Sequence, residues 1–245
     1  MGKTTLAGMT YDSEESAPLR VHLPIHRPAL LPGASKEGGV IRPSTVIYDL
    51  ETAGLDLRDA VIQIAGLAVG PAPEFPELAT FEVKLQFDPS AASPEALEVN
   101  SYDRATWEAE AVPPAEACRR FAWWLEAYKA VELTSRGGKP YRVAQMASYN
   151  TGFDQPRLHG LFRRCDRFLP GFFRHLDVLQ LALWVYESRG GAPSDFKLGT
   201  VYGHLGGEPA AAHDAAADCA MTAHVLRRLW AMREGDEREL RRGAA

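Results

Sequence analysis

The sequence is short of several things, and each shortage excludes a class. No apolar run comes near the ~18 residues that a membrane-spanning helix requires. The opening segment, Met1-Gly2-Lys3-Thr4-Thr5-Leu6, lacks the continuous apolar stretch of a secretory signal. Three cysteines occur, Cys118, Cys165 and Cys219, with no Cys-x-x-Cys pair among them. That excludes a disulfide framework and a zinc knuckle. A cytoplasmic location is the expectation, with no membrane partner. Basic charge is scarce too: 27 Lys and Arg stand against 32 Asp and Glu in 245 residues, a net charge of −5. A general basic footprint for nucleic acid is therefore missing, and any such contact must be local. Apolar residues are not scarce. At 46% they can fill a sizeable core, which excludes a wholly disordered chain.

Composition divides the chain into three stretches. Residues 1–43 carry recurrent prolines and a Gly-Ala-Ser-Lys-Glu-Gly-Gly run at 33–39, and read as an extension with the composition of a flexible linker. Its Gly2-Lys3-Thr4 has no upstream glycine or strand and is not a phosphate loop. Residues 44–232 form the expected domain, and 233–245 a charged tail that continues a fraying helix. Within the domain, 45–50, 61–69 and 80–87 read as three strands joined by short connections, an antiparallel meander. Helical spacing begins at Pro114, with Ala117, Phe121, Trp124, Leu125 and Tyr128 on one stripe. A fourth strand follows at 143–149, then helical segments at 158–164, 178–186 and 215–230. Strands first, then strands and helices in alternation, predict an α/β domain with a mixed sheet covered by helices.

Carboxylates stand where apolar residues are expected. Asp49 and Glu51 lie two apart on the first strand, so both face one side, ~7 Å apart along the chain. Between Arg42 and Arg58 there is no Lys or Arg to offset them. Asp218 shares a helical stripe with Thr222, Val225 and Leu229, the face that should pack. Asp214 is the expected N-cap of that helix, and His213 precedes it. Asp154 follows the fourth strand in Tyr149-Asn150-Thr151-Gly152-Phe153-Asp154. Each has a plainer reading: Glu51 leaving the sheet at a turn, Asp154 as part of a helix start, Asp218 as a half-exposed helix carboxylate, His213 as a loop histidine. Their order along one domain gives a second reading. Four carboxylates that can meet at one sheet edge make an oxygen-rich site suited to Mg²⁺ or Mn²⁺ rather than zinc.

These segments resemble the DnaQ-like, DEDDh-type 3′–5′ exonucleases. Asp49-Leu50-Glu51-Thr52-Ala53-Gly54-Leu55 matches the family's first motif, 149–154 the second, and His213-Asp214-Ala215-Ala216-Ala217-Asp218 the third. The segment 177–182 also resembles the stretch between the last two. The resemblance covers roughly residues 44 to 231. It implies an RNase H-like fold with a central five-stranded mixed sheet flanked by helices. It further implies two divalent cations, Mg²⁺ or Mn²⁺, held by Asp49, Glu51 and Asp218, with Asp154 completing the site and His213 as general base. Thr52, Gly54, Leu55, Asn150 and Phe153 would bind substrate: Thr52 near the terminal 3′-hydroxyl, Gly54 for close approach, Leu55 as a wedge against the last bases. Two positions depart from the family pattern. Ala53 stands for a hydroxyl residue and Tyr149 for a histidine, and neither is a metal ligand.

The expected activity is 3′–5′ exonucleolytic release of nucleoside 5′-monophosphates from single-stranded DNA ends. Three alternatives remain: RNA trimming by the same chemistry, a non-catalytic nucleic-acid-binding module, and an endonuclease on a related fold. Arg157, Arg163, Arg164, Arg167 and Arg174 could track a phosphate backbone or form a solvated helix face. Trp107, Trp123, Trp124, Phe172 and Phe173 could stack on bases, although for Trp124 the helical stripe favours the core. A homodimer, or a polymerase or nuclease partner met through residues 1–43, is a further possibility that resemblance leaves open.

Overall fold

The computed structural model describes residues 4–6, 9–11, 44–208 and 214–243. Most of the N-terminal extension, and residues 209–213 with His213 among them, lie outside these residues. The chain divides into two units, Met1–Gly39 and Val40–Ala245. In the first, β1 (Thr4–Leu6) pairs antiparallel with β2 (Met9–Tyr11). Strands of three residues are too short to show a period.

The second unit is organised by a mixed sheet. Its strands are β3 (Thr45–Thr52), β4 (Val61–Val69), β5 (Glu77–Lys84), β6 (Lys129–Thr134), β7 (Pro140–Ser148) and β8 (Leu176–Asp177). The order is β5-β4-β3-β7-β6, with β8 beside the carboxyl end of β7. The expected meander is present: β3, β4 and β5 pair antiparallel in sequence order. β3 and β7 are parallel. The sheet has six strands rather than the expected five. The extra one, β8, pairs through only Leu176 and Asp177, too short a segment to alternate visibly.

Seven helices complete the described part of this unit: α1 (Pro94–Val99), α2 (Arg104–Glu110), α3 (Pro114–Leu125), α4 (Thr151–Arg164), α5 (Val178–Arg189), α6 (Leu198–His204) and α7 (Ala215–Gly243). None of the described helices is long and apolar enough to cross a membrane. Alternation along β3 decides the layers. Val46, Tyr48 and Leu50 enter a core shared with Phe121 and Leu125 of α3 and Leu158 and Phe162 of α4. Ile47 enters the opposite core, with Val178 of α5, Val201 of α6 and Leu226 of α7. Phe121 and Phe162 are essentially fully buried, and each such ring contributes roughly 2–3 kcal/mol of transfer free energy. Trp124 is a core ring, 5.9 Å from Phe121 in a stacked pair. It presses on β4 at Gly66, where an added Cβ would lie 2.8 Å from its Cζ3; only glycine leaves that space. β4 is buried along its whole length, so β3 beside it is a central strand. A carboxylate on β3 therefore starts from a desolvated position.

Candidate active site

The site lies where the parallel strands β3 and β7 end, the place where open α/β sheets leave a crevice between connections. β3 has a register break between Glu51 and Thr52, which releases the chain into the turn toward β4. β7 hands over to α4 at Asn150, whose φ of 64° and ψ of 63° are left-handed. Asparagine adopts that conformation more readily than most residues. Asp177, at the end of β8, then fixes the helix start. Its Oδ2 accepts from Thr151 N at 3.1 Å and Thr151 Oγ1 at 2.9 Å, while its Oδ1 accepts from Gln180 N at 3.2 Å. One carboxylate thus caps α5 and holds the first residue of α4, where partial positive charge favours it. Asp154, in the first turns of α4, is 3% exposed.

The third contribution comes from α7. Asp214 is its N-cap, as expected: Oδ1 accepts from Ala216 N at 2.9 Å, and its carbonyl accepts from Asp218 N at 2.8 Å. Thr222, Val225 and Leu229 are buried, which confirms that Asp218 stands on the packed stripe. The geometry brings the predicted carboxylates together. One ligand oxygen from each of Asp49, Glu51 and Asp218 lies within 4.8 Å of the others. Those three, Asp154, Asn150 and Phe153 all line one cleft of about 1060 Å³. Thr52 ends β3 and Gly54 and Leu55 stand on the loop that follows; none of the three is in this lining. Thr52 Oγ1 donates to Gly54 O at 2.8 Å, and a Cβ on Gly54 would overlap the Asp59 carboxylate. Leu55 is 85% exposed.

Burial and mutual charge set the carboxylates of the cluster against ionisation. Burial, then the charges of Asp154, Glu51 and Asp218, hold Asp49 well above the usual carboxylate range. Burial raises Glu51 to about 7, helped by Asp218 and Asp214. Burial also pushes Asp154 up to about 8, against the opposing pull of the Arg157 guanidinium and the Leu50 backbone N–H. Like charges brought together in a desolvated site oppose ionisation. A hard divalent cation restores it, and an all-oxygen donor set is what such ions take. The residues present therefore fit a divalent cation, with Asp49, Glu51 and Asp218 as the closest donors.

Several lining residues were not legible in the sequence. The wall facing the carboxylates comes from α5, the following loop and α6, through Leu179, Leu183, Phe196, Lys197 and Tyr202. Among the described lining residues Lys197 is the one basic side chain. Tyr149, which departs from the family pattern, joins the two walls: its hydroxyl donates to Phe196 O at 2.7 Å. The arginine cluster does not line the cleft. Arg163 and Arg164 occupy the last turn of α4, where a helix C-terminus favours cations. Arg174 lies over Phe173. Arg157 is buried, donating to Phe153 O at 2.8 Å and to Leu55 O.

No protein-family model and no curated protein matches the sequence. Solved structures of exonuclease I do match in shape. One structure of exonuclease I matches with a TM-score of 0.60 at 17% identity, covering 77% of this chain and 41% of that one. The chain folds as the matched part of exonuclease I does. E. coli exonuclease I in complex with a dA16 oligonucleotide gives a TM-score of 0.58 at 17% identity, covering 77% and 41%. A moderately thermophilic exonuclease I from Methylocaldum szegediense gives 0.59 at 19% identity, covering 76% and 40%. The chain spans about two fifths of the length of these proteins. Together with the mixed sheet and its flanking helices, the likeness identifies an α/β fold of the RNase H-like kind.

Proposed function

We propose that this protein is a divalent-metal-dependent 3′–5′ exonuclease acting on single-stranded DNA ends and releasing nucleoside 5′-monophosphates. The observation that carries the reading is the convergence of Asp49, Glu51, Asp154 and Asp218 in one cleft at the carboxyl ends of two parallel strands. The likeness to exonuclease I, which has been solved with oligonucleotides bound, agrees with it.

The residues divide the work. Asp49, Glu51 and Asp218 would hold two divalent cations, with Asp154 completing the set. When bound, such ions lower the pKa of water and offset charge on the phosphate. His213, preceding the Asp214 cap of α7, takes the proton from the attacking water; an imidazole titrates in the range this requires. The water oxygen bonds to the terminal phosphorus and the P–O3′ bond breaks. The mononucleotide leaves with its 5′-phosphate, and O3′ of the shortened strand takes a proton from solvent water to become its new 3′-hydroxyl. Lys197 supplies a cationic contact for the phosphate from the facing wall. Asn150 and Phe153 contact the terminal nucleotide inside the cleft, and Thr52, Gly54 and Leu55 meet it from the rim. Leu55, an exposed apolar side chain beside an acidic cleft, is the wedge that separates the terminal base from the next.

The test uses 5′-labelled single-stranded DNA and RNA oligonucleotides with Mg²⁺, Mn²⁺ or EDTA. A ladder that shortens from the 3′ end, faster on DNA and abolished by EDTA, is the expected result. Faster shortening of RNA would assign the protein to RNA trimming. Binding without cleavage under either metal would refute the enzyme and leave the binding module.

A further inference from the structure

The loop between β3 and β4 is braced internally. Ala53 N donates to Ala60 O at 2.8 Å, Asp59 N to Asp56 O at 3.1 Å, and Asp56 N to Asp59 Oδ2 at 2.8 Å. None of these bonds ties the loop to α4, the helix that carries Asp154. Arg157 makes that tie. Its guanidinium donates through Nη1 to Phe153 O, at 2.8 Å, and through Nη2 to Leu55 O. Its Cζ also lies over the Phe153 ring, 3.6 Å from the centroid. The side chain is 6% exposed. Arginine is seldom buried to that degree without partners, and here both partnered donors end on backbone carbonyls of the cleft rim. Leu55, whose carbonyl is held, is the most exposed large apolar residue of the described chain.

We propose that Arg157 is a positioning residue: a planar fork that fixes the Leu55 backbone relative to Phe153 and Asp154, and so sets where the terminal nucleotide stops in the cleft. The proposal rests on the exonuclease reading and adds the element that holds its wedge. The geometry suits arginine specifically. Two carbonyls from two segments need two diverging donors in a rigid plane, which one compact ammonium does not provide. Arg157 also draws the Asp154 carboxyl downward, so a role through charge alone has to be separated from bracing. Lysine separates them, because it keeps the charge and loses the fork.

The variants are R157Q, R157K, L55A and the L55A/R157Q double mutant, in the full chain with Mn²⁺. R157Q is expected to lower kcat on single-stranded DNA by about tenfold to a hundredfold, the scale on which misplacement acts, with KM unchanged within about twofold. R157K is expected to fall with it. L55A, at an exposed position, keeps the fold and should give the same split of kcat from KM. In the double mutant the losses should not multiply, because both changes remove one device. Amide hydrogen exchange is the independent arm: in R157Q, residues 54–57 should exchange faster while β4 stays protected. Wild-type kcat in R157K or in L55A, multiplying losses in the double mutant, or unchanged exchange at 54–57 in R157Q would each overturn the proposal. A wild-type protein that cleaves nothing would refute the exonuclease reading instead, and the exchange experiment would then judge the brace alone.

Discussion

Replacing Asp154 by asparagine should make the metal-free protein more stable, and increasingly so as pH rises. Asp154 is almost fully buried, and its carboxyl is raised from the ordinary 3.8 to about 8. For an acid whose folded pKa lies above its unfolded pKa, the unfolded chain gives up its proton first. Stability is then intact below the unfolded value and is lost as pH rises between the two, at about 1.4 kcal/mol per pH unit. The window here runs from near pH 4 to near pH 8. Between pH 5 and pH 8 the wild type should lose on the order of 3 kcal/mol from this carboxyl alone. Asparagine resembles the protonated acid in size and charge, so the variant escapes that loss. Its advantage should be about 1.5 kcal/mol at pH 5 and on the order of 3 kcal/mol larger at pH 8.

Urea unfolding in EDTA at the two pH values reads the difference directly through the denaturation midpoints. Divalent metal should then reverse the order. A ligand at a hundredfold excess over its Kd adds about 2.7 kcal/mol to the state that binds it, and the variant, with one donor fewer, gains less. A variant no more stable than wild type at pH 8, or an advantage that does not grow with pH, would refute the claim that burial holds this carboxyl above its ordinary range. An advantage that grows with pH but is untouched by Mg²⁺ or Mn²⁺ would refute the cation as its remedy.

The remaining expectations concern other parts of the site. Asp49→Asn and Asp218→Asn should abolish cleavage without lowering the Tm of the metal-free protein, since each relieves repulsion; retained activity in either would remove it from the ligand set. His213→Ala should lower kcat by about 10²-fold or more while the Mn²⁺-induced rise in Tm persists. If that rise disappears with activity, His213 is a ligand and the proton acceptor is another group. Asn150→Val should destabilise by about 1–2 kcal/mol because of its left-handed backbone, whereas Asn150→Gly should leave Tm close to wild type. Equal effects of the two would refute the backbone explanation.

What the sequence revealed and what it concealed follow from the range over which each signal acts. Asp49 and Glu51 were legible because a two-residue period puts them on one face of a strand whose other residues are apolar. Asp218 was legible because Thr222, Val225 and Leu229 repeat at helical spacing around it. Both signals are local, and the fold preserved them. β6 and β8 carry no comparable signal: β6 follows α3 and its 3₁₀ extension within a few residues, and β8 is two residues long. Periodicity cannot speak over two residues, and the start of β6 is hidden by the helical stripe that runs into it. The facing wall of the cleft draws on α5, α6 and the loop between them, and nothing in Leu179, Phe196 or Lys197 distinguishes a cleft residue from a core or surface residue until the chain has folded.

Arg157 shows the same limit in its sharpest form. In the sequence it is one of a cluster of five arginines, which charge alone left as either a phosphate path or a solvated helix face. In the structure its neighbours Arg163 and Arg164 sit two turns further along α4, on exposed positions at the helix end. Arg157 alone is close enough to the helix start to reach Phe153 O and, across the loop, Leu55 O. A guanidinium in water is a phosphate ligand; the same group, desolvated and given two carbonyls, becomes a strut. Burial makes that choice, and burial is a property of contacts separated here by 102 residues. The carboxylate cluster can thus be found from local pattern, while the wall and the brace around it emerge only from tertiary structure.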